Sequence, residues 1–188
     1  MESLFQYFEH YQHNLSPAAR QAIQSVCSVH LVLKNKDLQP IGHTCRTIYF
    51  IRKGLARIYY FKGETDITES FAFENQIVVR VESLFTGKPS RKGIQMLEDS
   101  EVIALNATLL FRLYDDFPEI ERLFRKIFEA GYVETVNRIE SLQFHTAEER
   151  YQDLLKSSAD ILKRVPLKYI ASYLGITAVS LSRIRAQR

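Results

Sequence analysis

VPLKYIASYLGITAVSLSRIRAQR, residues 165–188, is the stretch whose reading decides the rest of the chain. Ile170 and Leu174 stand four apart and share one face of a helix. Ala171, between them, is small enough to let a second helix cross closely. Gly175 comes next, where helices commonly end in a left-handed residue that glycine adopts at little cost. Ile176 plugs the turn, Thr177 offers an N-cap, and Leu181 and Ile184 give a second helix its buried edge. The spacing predicts two short helices joined by a glycine-containing turn, a helix-turn-helix. Charge points the same way. Lys163, Arg164, Lys168, Arg183, Arg185 and Arg188 are basic, and no residue from 163 to 188 is acidic. The whole chain carries +3, so about −3 is left for residues 1–162. A basic two-helix unit is the electrostatic footprint of an element that reads double-stranded DNA. The plainer alternative is a solvated helix pair that closes the fold.

With 188 residues, the chain has room for one large domain or two small ones. Its hydrophobic share of 46% and charged share of 25% are those of ordinary globular proteins. No apolar run approaches the roughly 20 residues that cross a bilayer, so no membrane partner is expected. The opening MESLFQYFEHYQHN lacks the basic region and apolar block of a secretory signal. Cys27 and Cys45 are far apart and read as reduced thiols. These features predict a cytoplasmic protein.

Taken in order, Leu4, Phe5, Phe8 and Tyr11 predict a short amphipathic helix. Ser16 as N-cap and Pro17 at the first helical position start a second, running to about Val26. His10 and His13 can share a helical face, but no third ligand type lies near them for a metal. From residue 29 to about 105 the period changes. VHLVLK, CRTIYFI, LARIYYF and ITESFAF are β-branched and aromatic runs separated by turn residues, with further strands near 94–97 and 102–105. About eight antiparallel strands in a roll or barrel are expected. Lys53-Gly54 reads as a hairpin turn between two of them, and 82–85 as one helical turn.

A helical half follows. Asn106 is the N-cap for ATLLFRLYDDF, and Pro118 opens a helix of about 26 residues, on the order of 40 Å long. Its apolar stripe predicts packing on the roll with one side and on a second copy with the other. Ile120, Phe124, Ile127, Gly131 and Ile139 are the expected dimer seam, Gly131 allowing close approach. Thr146 and Glu149 form a capping box for the next helix. The expected parts are a roll with flanking helices at 1–117, a dimerisation helix at 118–144 and a helix-turn-helix domain at 145–188, an α+β protein.

That order of parts resembles the Crp–Fnr family of bacterial transcription regulators, whose sensor is an antiparallel β-roll (a double-stranded β-helix) of the cyclic-nucleotide-binding kind. The likeness is strongest in YFIRKGLARIYY, LEDSEVIAL, HTAEERYQDLL and VPLKYIASYLGITAVSLSRIR, and is similar to Bacteroidetes-type members. It implies a homodimer that reads a pseudopalindrome with half-sites one helical turn apart. It also implies that the second helix of the motif enters the major groove, with Arg183 placed to pair a guanine. Thr177, Ser180, Lys168 and Gln187 are implied as further DNA contacts, of which Thr177 and Ser180 suit phosphates. Ala178 and Val179 stand where similar members carry Pro and Glu, which removes an acceptor for a cytosine amino group. The family continues into a β-hairpin wing, whereas this sequence stops within the second helix, so fewer phosphate contacts and weaker binding are expected.

The sensor half departs from the family too. Cyclic-nucleotide binders carry a Gly-Glu pair and then an Arg-Ser/Thr-Ala run, and ENQIVVRVESLFTGKPSRKGIQ has neither. Cyclic AMP is therefore not expected to bind in the usual way. Arg80, Glu82, Ser90 and Arg91 are the candidate contacts for a small-molecule effector, guanidinium groups being ready anion holders. Two cysteines cannot supply the four thiolates of an iron–sulfur centre, and no cofactor is assigned. The competing readings are a dimeric sensor or scaffold that has lost specific DNA binding, and an enzyme on a cupin-like roll. The enzyme lacks support: His30 and His43 have no H-x-H pairing, and no nucleotide-binding glycine motif occurs.

Overall fold

The chain alternates sides as its strands pass through the roll, and that alternation builds two cores. In the computed structural model, which describes residues 1–186, the strands are β1 (Cys27–Val32), β2 (Asp37–Gln39), β3 (Thr47–Lys53) and β4 (Ala56–Lys62). They continue with β5 (Thr65–Ala72), β6 (Gln76–Val78), β7 (Gly93–Met96) and β8 (Ser100–Asn106). Two four-stranded antiparallel sheets result, ordered β1-β8-β3-β6 and β2-β7-β4-β5. Ile51, Ala56, Ala72, Val78, Ile94, Met96 and Val102 point between the sheets and fill the roll. Ile48, Phe50, Ile103 and Leu105 point out of the first sheet and are covered by helices. Alternate residues thus serve opposite faces, as a period of two requires.

Those covering helices are α1 (Glu2–Glu9), α2 (Pro17–Ser25), α4 (Ala107–Asp116) and the first half of α5 (Pro118–Phe144). A short α3 (Val81–Thr86) lies between β6 and β7. Local chemistry sets their starts. Ser16 Oγ accepts from the Ala19 N–H with Pro17 beginning α2, and Asn106 Oδ1 accepts from the Leu109 N–H to begin α4. Phe8 packs its ring against Phe124 with centroids 5.5 Å apart, and Ser16 Oγ donates to Glu119 at 2.6 Å. Beyond α5 come α6 (Ala147–Ser157), α7 (Ile161–Arg164), α8 (Leu167–Tyr173) and α9 (Ala178–Ala186).

Two expectations are corrected. Lys53-Gly54 is not a hairpin turn: β3 and β4 lie in different sheets, and the chain crosses between them there. The hairpin is instead β4 to β5, whose residues Lys62 and Thr65 pair across Gly63. Two three-residue strands, β2 and β6, were too short to show a period in the sequence. Finally, Ile120, Phe124 and Ile127 do not form a dimer seam. All three are buried in the same chain's core with Leu4, Phe8 and Leu110, because the first turns of α5 complete the helical cover of the roll. Gly131 and Ile139, further along α5, are exposed.

Gly54 makes the crossing possible. Its φ is +106°, and a Cβ there would sit 2.0 Å from Ser100 Oγ. Gly54→Ala meets both the left-handed penalty and a steric overlap, and should cost about 3 kcal/mol or more. Urea unfolding followed by far-UV circular dichroism measures the loss.

Candidate nucleic-acid interface

Helices α8 and α9 meet through aliphatic side chains. Ile170, Ala171 and Leu174 of the first helix and Leu181 of the second are buried together, with Ile176 and Ile184 half-buried at the edges. Full burial of such side chains is worth about 1.5–3 kcal/mol each. The turn is closed by backbone geometry. Gly175 has φ +71°, its N–H donates to the Ser172 carbonyl, and the Ile176 N–H donates to the Ala171 carbonyl. These are the two bonds of a Schellman ending. Thr177 Oγ1 then accepts from the Ser180 N–H at 3.1 Å and caps α9.

This packing turns the other side of α9 to water. Thr177, Ala178, Val179, Ser182, Arg183, Arg185 and Ala186 are exposed, and Lys168 is exposed on α8. Ser180 is half-buried, its hydroxyl 3.0 Å from that of Thr177. Of the expected contact residues, Lys168, Thr177, Ala178, Val179 and Arg183 therefore lie on solvent-facing surface. Gln187 lies outside the described residues, as does Arg188.

The unit is seated on the second sheet through α8. The Thr68 N–H donates to Ser172 Oγ at 2.7 Å. The Arg57 guanidinium lies 3.7 Å from the centre of the Tyr169 ring. Arg57 is only 2% exposed, and its charge is met within the roll by both Asp66 oxygens, Gln95 Oε1 and Thr68 Oγ1. Leu55, Leu97, Phe71 and Phe73 add an apolar floor under α7 and α8. Arg164, counted in the basic run, is held by Glu74 and Glu98 of the roll. Two more arginines hold α8 from the other side. Arg150 donates to the Leu174 carbonyl at 3.0 and 2.8 Å, and Arg138 of α5 donates to the Tyr173 carbonyl with its guanidinium over the Tyr173 ring. Cations at these last carbonyls suit the negative end of a helix. Sequence reading missed Arg57, Arg138 and Arg150. Only the last had a signal, its place one residue past the capping-box Glu149.

The four effector candidates do not converge. Glu82 and Arg91 are exposed, and Ser90 Oγ donates to the Lys92 carbonyl within its own loop. Arg80 alone enters a cluster: it and Lys92 both pair with Glu69, at 3.3 and 2.5 Å. Glu69 thus offsets positive charge there, while Arg80 Nε is buried without a hydrogen-bond partner. An open groove of about 490 Å³ lies elsewhere, between α3 and α4, lined by Cys45, Arg46, Phe111 and Arg112 among others. Among the described residues, no group of three or more His, Cys, Asp or Glu is placed to hold a metal ion, and no helix is long and apolar enough to cross a membrane.

No family model matches the chain, and no curated protein does. Solved structures do. FixK2 from Bradyrhizobium japonicum is similar with a TM-score of 0.72 and 18% identity over 86% of this chain and 84% of that one. A protein from Eubacterium rectale, described as a transcriptional regulator of the Crp/Fnr family, gives 0.74 and 16% identity over 97% and 87%. The catabolite activator protein of Thermus thermophilus gives 0.59 and 18% over 96% and 85%. The chain has the fold of these proteins: antiparallel roll, long helix and C-terminal helical unit.

Acid should loosen the seating of α8. Hydrogen bonds from Arg164 hold the Glu74 carboxyl below the usual carboxylate range, helped by the Gly54 N–H. A lowered carboxylate contributes its full stability above the ordinary value of about 4, and loses it as pH falls through the lowered one. Thermal midpoints recorded from pH 7 downward should therefore fall less steeply in Glu74→Gln than in the unaltered protein.

Proposed function

We propose that the chain is a Crp–Fnr transcription regulator that binds double-stranded DNA as a homodimer, and not an enzyme. The observation that carries this reading is the two-sided character of α9. Leu181 is fully buried against α8 while Arg183 and Arg185 stand in solvent on a helix long enough to lie in a major groove. The fold shared with the regulators above supports it, as does the run of cations without an acid from 163 to 188.

In this reading Arg183 takes the O6 and N7 of a guanine, its guanidinium offering two parallel donors. Lys168 and the hydroxyls of Thr177 and Ser180 meet phosphates and set the register. Val179, 62% exposed, meets a thymine methyl where a polar side chain would read a cytosine. The roll is the sensor, and an effector there biases the orientation of the reading unit. Glu69 on the Arg80–Lys92 pair argues against cyclic AMP held in the usual way. The setting is the cytoplasm.

The dimer seam lies on the second half of α5. Phe128, Tyr132, Val136 and Ile139 recur at intervals of four, four and three and share one stripe. Tyr132 is 71% exposed and Ile139 49%, although both are large and apolar. Phe128 still packs against the core, and beyond it the stripe turns to solvent, where it fits a second copy of itself across a two-fold axis.

Titrating the protein into labelled promoter fragments, read by fluorescence anisotropy between 50 and 300 mM salt, tests the reading. Affinity should fall steeply with salt. Arg183→Ala should lose about 1–3 kcal/mol at one base pair and relax the preference there. Absence of binding at the lowest salt refutes the function. Tyr132→Glu with Ile139→Glu should halve the mass seen by sedimentation while circular dichroism is unchanged. Ile127→Glu, by contrast, should unfold the chain.

A further inference from the structure

We propose that Glu74 and Glu98 hold Arg164 in place of a DNA phosphate, forming a latch between sensor and reading unit that the duplex competes to open. The proposal rests on the reading of α8 and α9 as a DNA-binding element.

The two contacts that α8 makes differ in kind. Against α9 it is built on aliphatic side chains. Against the roll it combines an apolar floor of Leu55, Leu97, Phe71 and Phe73 with polar contacts. Arg57 keeps Asp66, Gln95 and Thr68 as partners whether or not Tyr169 covers it, since all three belong to the roll. Ser172 Oγ and the Thr68 N–H are groups that water satisfies equally well. The polar groups of this face therefore lose little on parting, and its apolar floor and Arg164 hold it shut.

Arg164 supplies the charged part of that closure. Its Nε donates to Glu98 Oε1 at 2.9 Å and one terminal nitrogen to Glu98 Oε2 at 2.7 Å. Both terminal nitrogens also reach Glu74, at 3.0 and 2.7 Å. Four of the five N–H donors of a guanidinium are thereby used in two forks, the geometry that arginine offers to carboxylate and phosphate alike. The Glu74 carboxylate is itself steadied by the Gly54 N–H at 2.9 Å, at the crossing between sheets. Arg164 also lies in the basic run, with the exposed cations Lys163 and Lys168 on either side of it in the sequence. Latched, the reading unit offers DNA one cation fewer.

The double variant Glu74→Gln/Glu98→Gln frees Arg164 without altering it. Hydrogen exchange of the Thr68 amide, which reports seating directly, should become at least about tenfold faster, since loss of two charged forks removes bonds of the stronger class. The slope of log affinity against log salt on a promoter fragment should steepen by about one, the yield of one added phosphate contact. Unchanged exchange overturns the latch. Faster exchange with an unchanged slope overturns the competition. Faster exchange with no DNA binding by either protein refutes the function, and the competition with it. Should the double variant fail to fold, Arg164→Glu should speed Thr68 exchange and a second change, Glu98→Arg, should slow it again. Lack of that rescue also overturns the proposal.

Discussion

A guanidinium with almost no access to water lies between the second sheet and α8, and its solvation governs how the two halves meet. Stripping an arginine of water costs several kcal/mol unless its donors are met. Arg57 meets that demand inside the roll, with both oxygens of Asp66, a glutamine, a threonine and the ring of Tyr59 at 4.6 Å. Tyr169 then needs only to lay a ring on a charge already satisfied. The sheet thus presents the C-terminal helices with charges already satisfied. Aliphatic contacts from Leu55 and Leu97 add area around them.

Capping chemistry was the most legible part of the sequence. Ser16, Asn106, Thr146 with Glu149, and Thr177 act where local spacing places them, because a cap involves only three or four neighbouring residues. Gly175 reads the same way. Gly54 does not. A Lys-Gly pair between two β-runs has the same composition whether it reverses the chain within a sheet or carries it to another. Only the pairing of β3 with β8 and of β4 with β7 distinguishes them. The role of Arg164 was hidden for a related reason. Its partners lie 90 and 66 residues away, and nothing in a run of cations tells which one is claimed by distant carboxylates.

The long helix shows the limit of a stripe. Apolar residues run along α5 almost end to end, yet the first turns face the chain's own core and the later ones face water. Periodicity identifies a face without saying whose surface covers it. Arg138 interrupts the pattern where α5 reaches α8, and burial there lowers its hold on the proton. A helix that passes from core to solvent in this way links the roll, the C-terminal helices and the exposed stripe.

The union of Phe8 with Phe124, and of Ser16 with a carboxylate 103 residues further on, bears on the order in which the protein is made. As the polypeptide leaves the ribosome, the amino-terminal helices emerge before the first sheet they cover and well before α5, which completes their layer. All eight strands are synthesised in the interval. Closure of the helical layer is thus a late event with a large loop to bridge, a topology associated with slow folding. During that wait, Leu4, Phe5 and Phe8 stand bare, the kind of transient surface that chaperones engage.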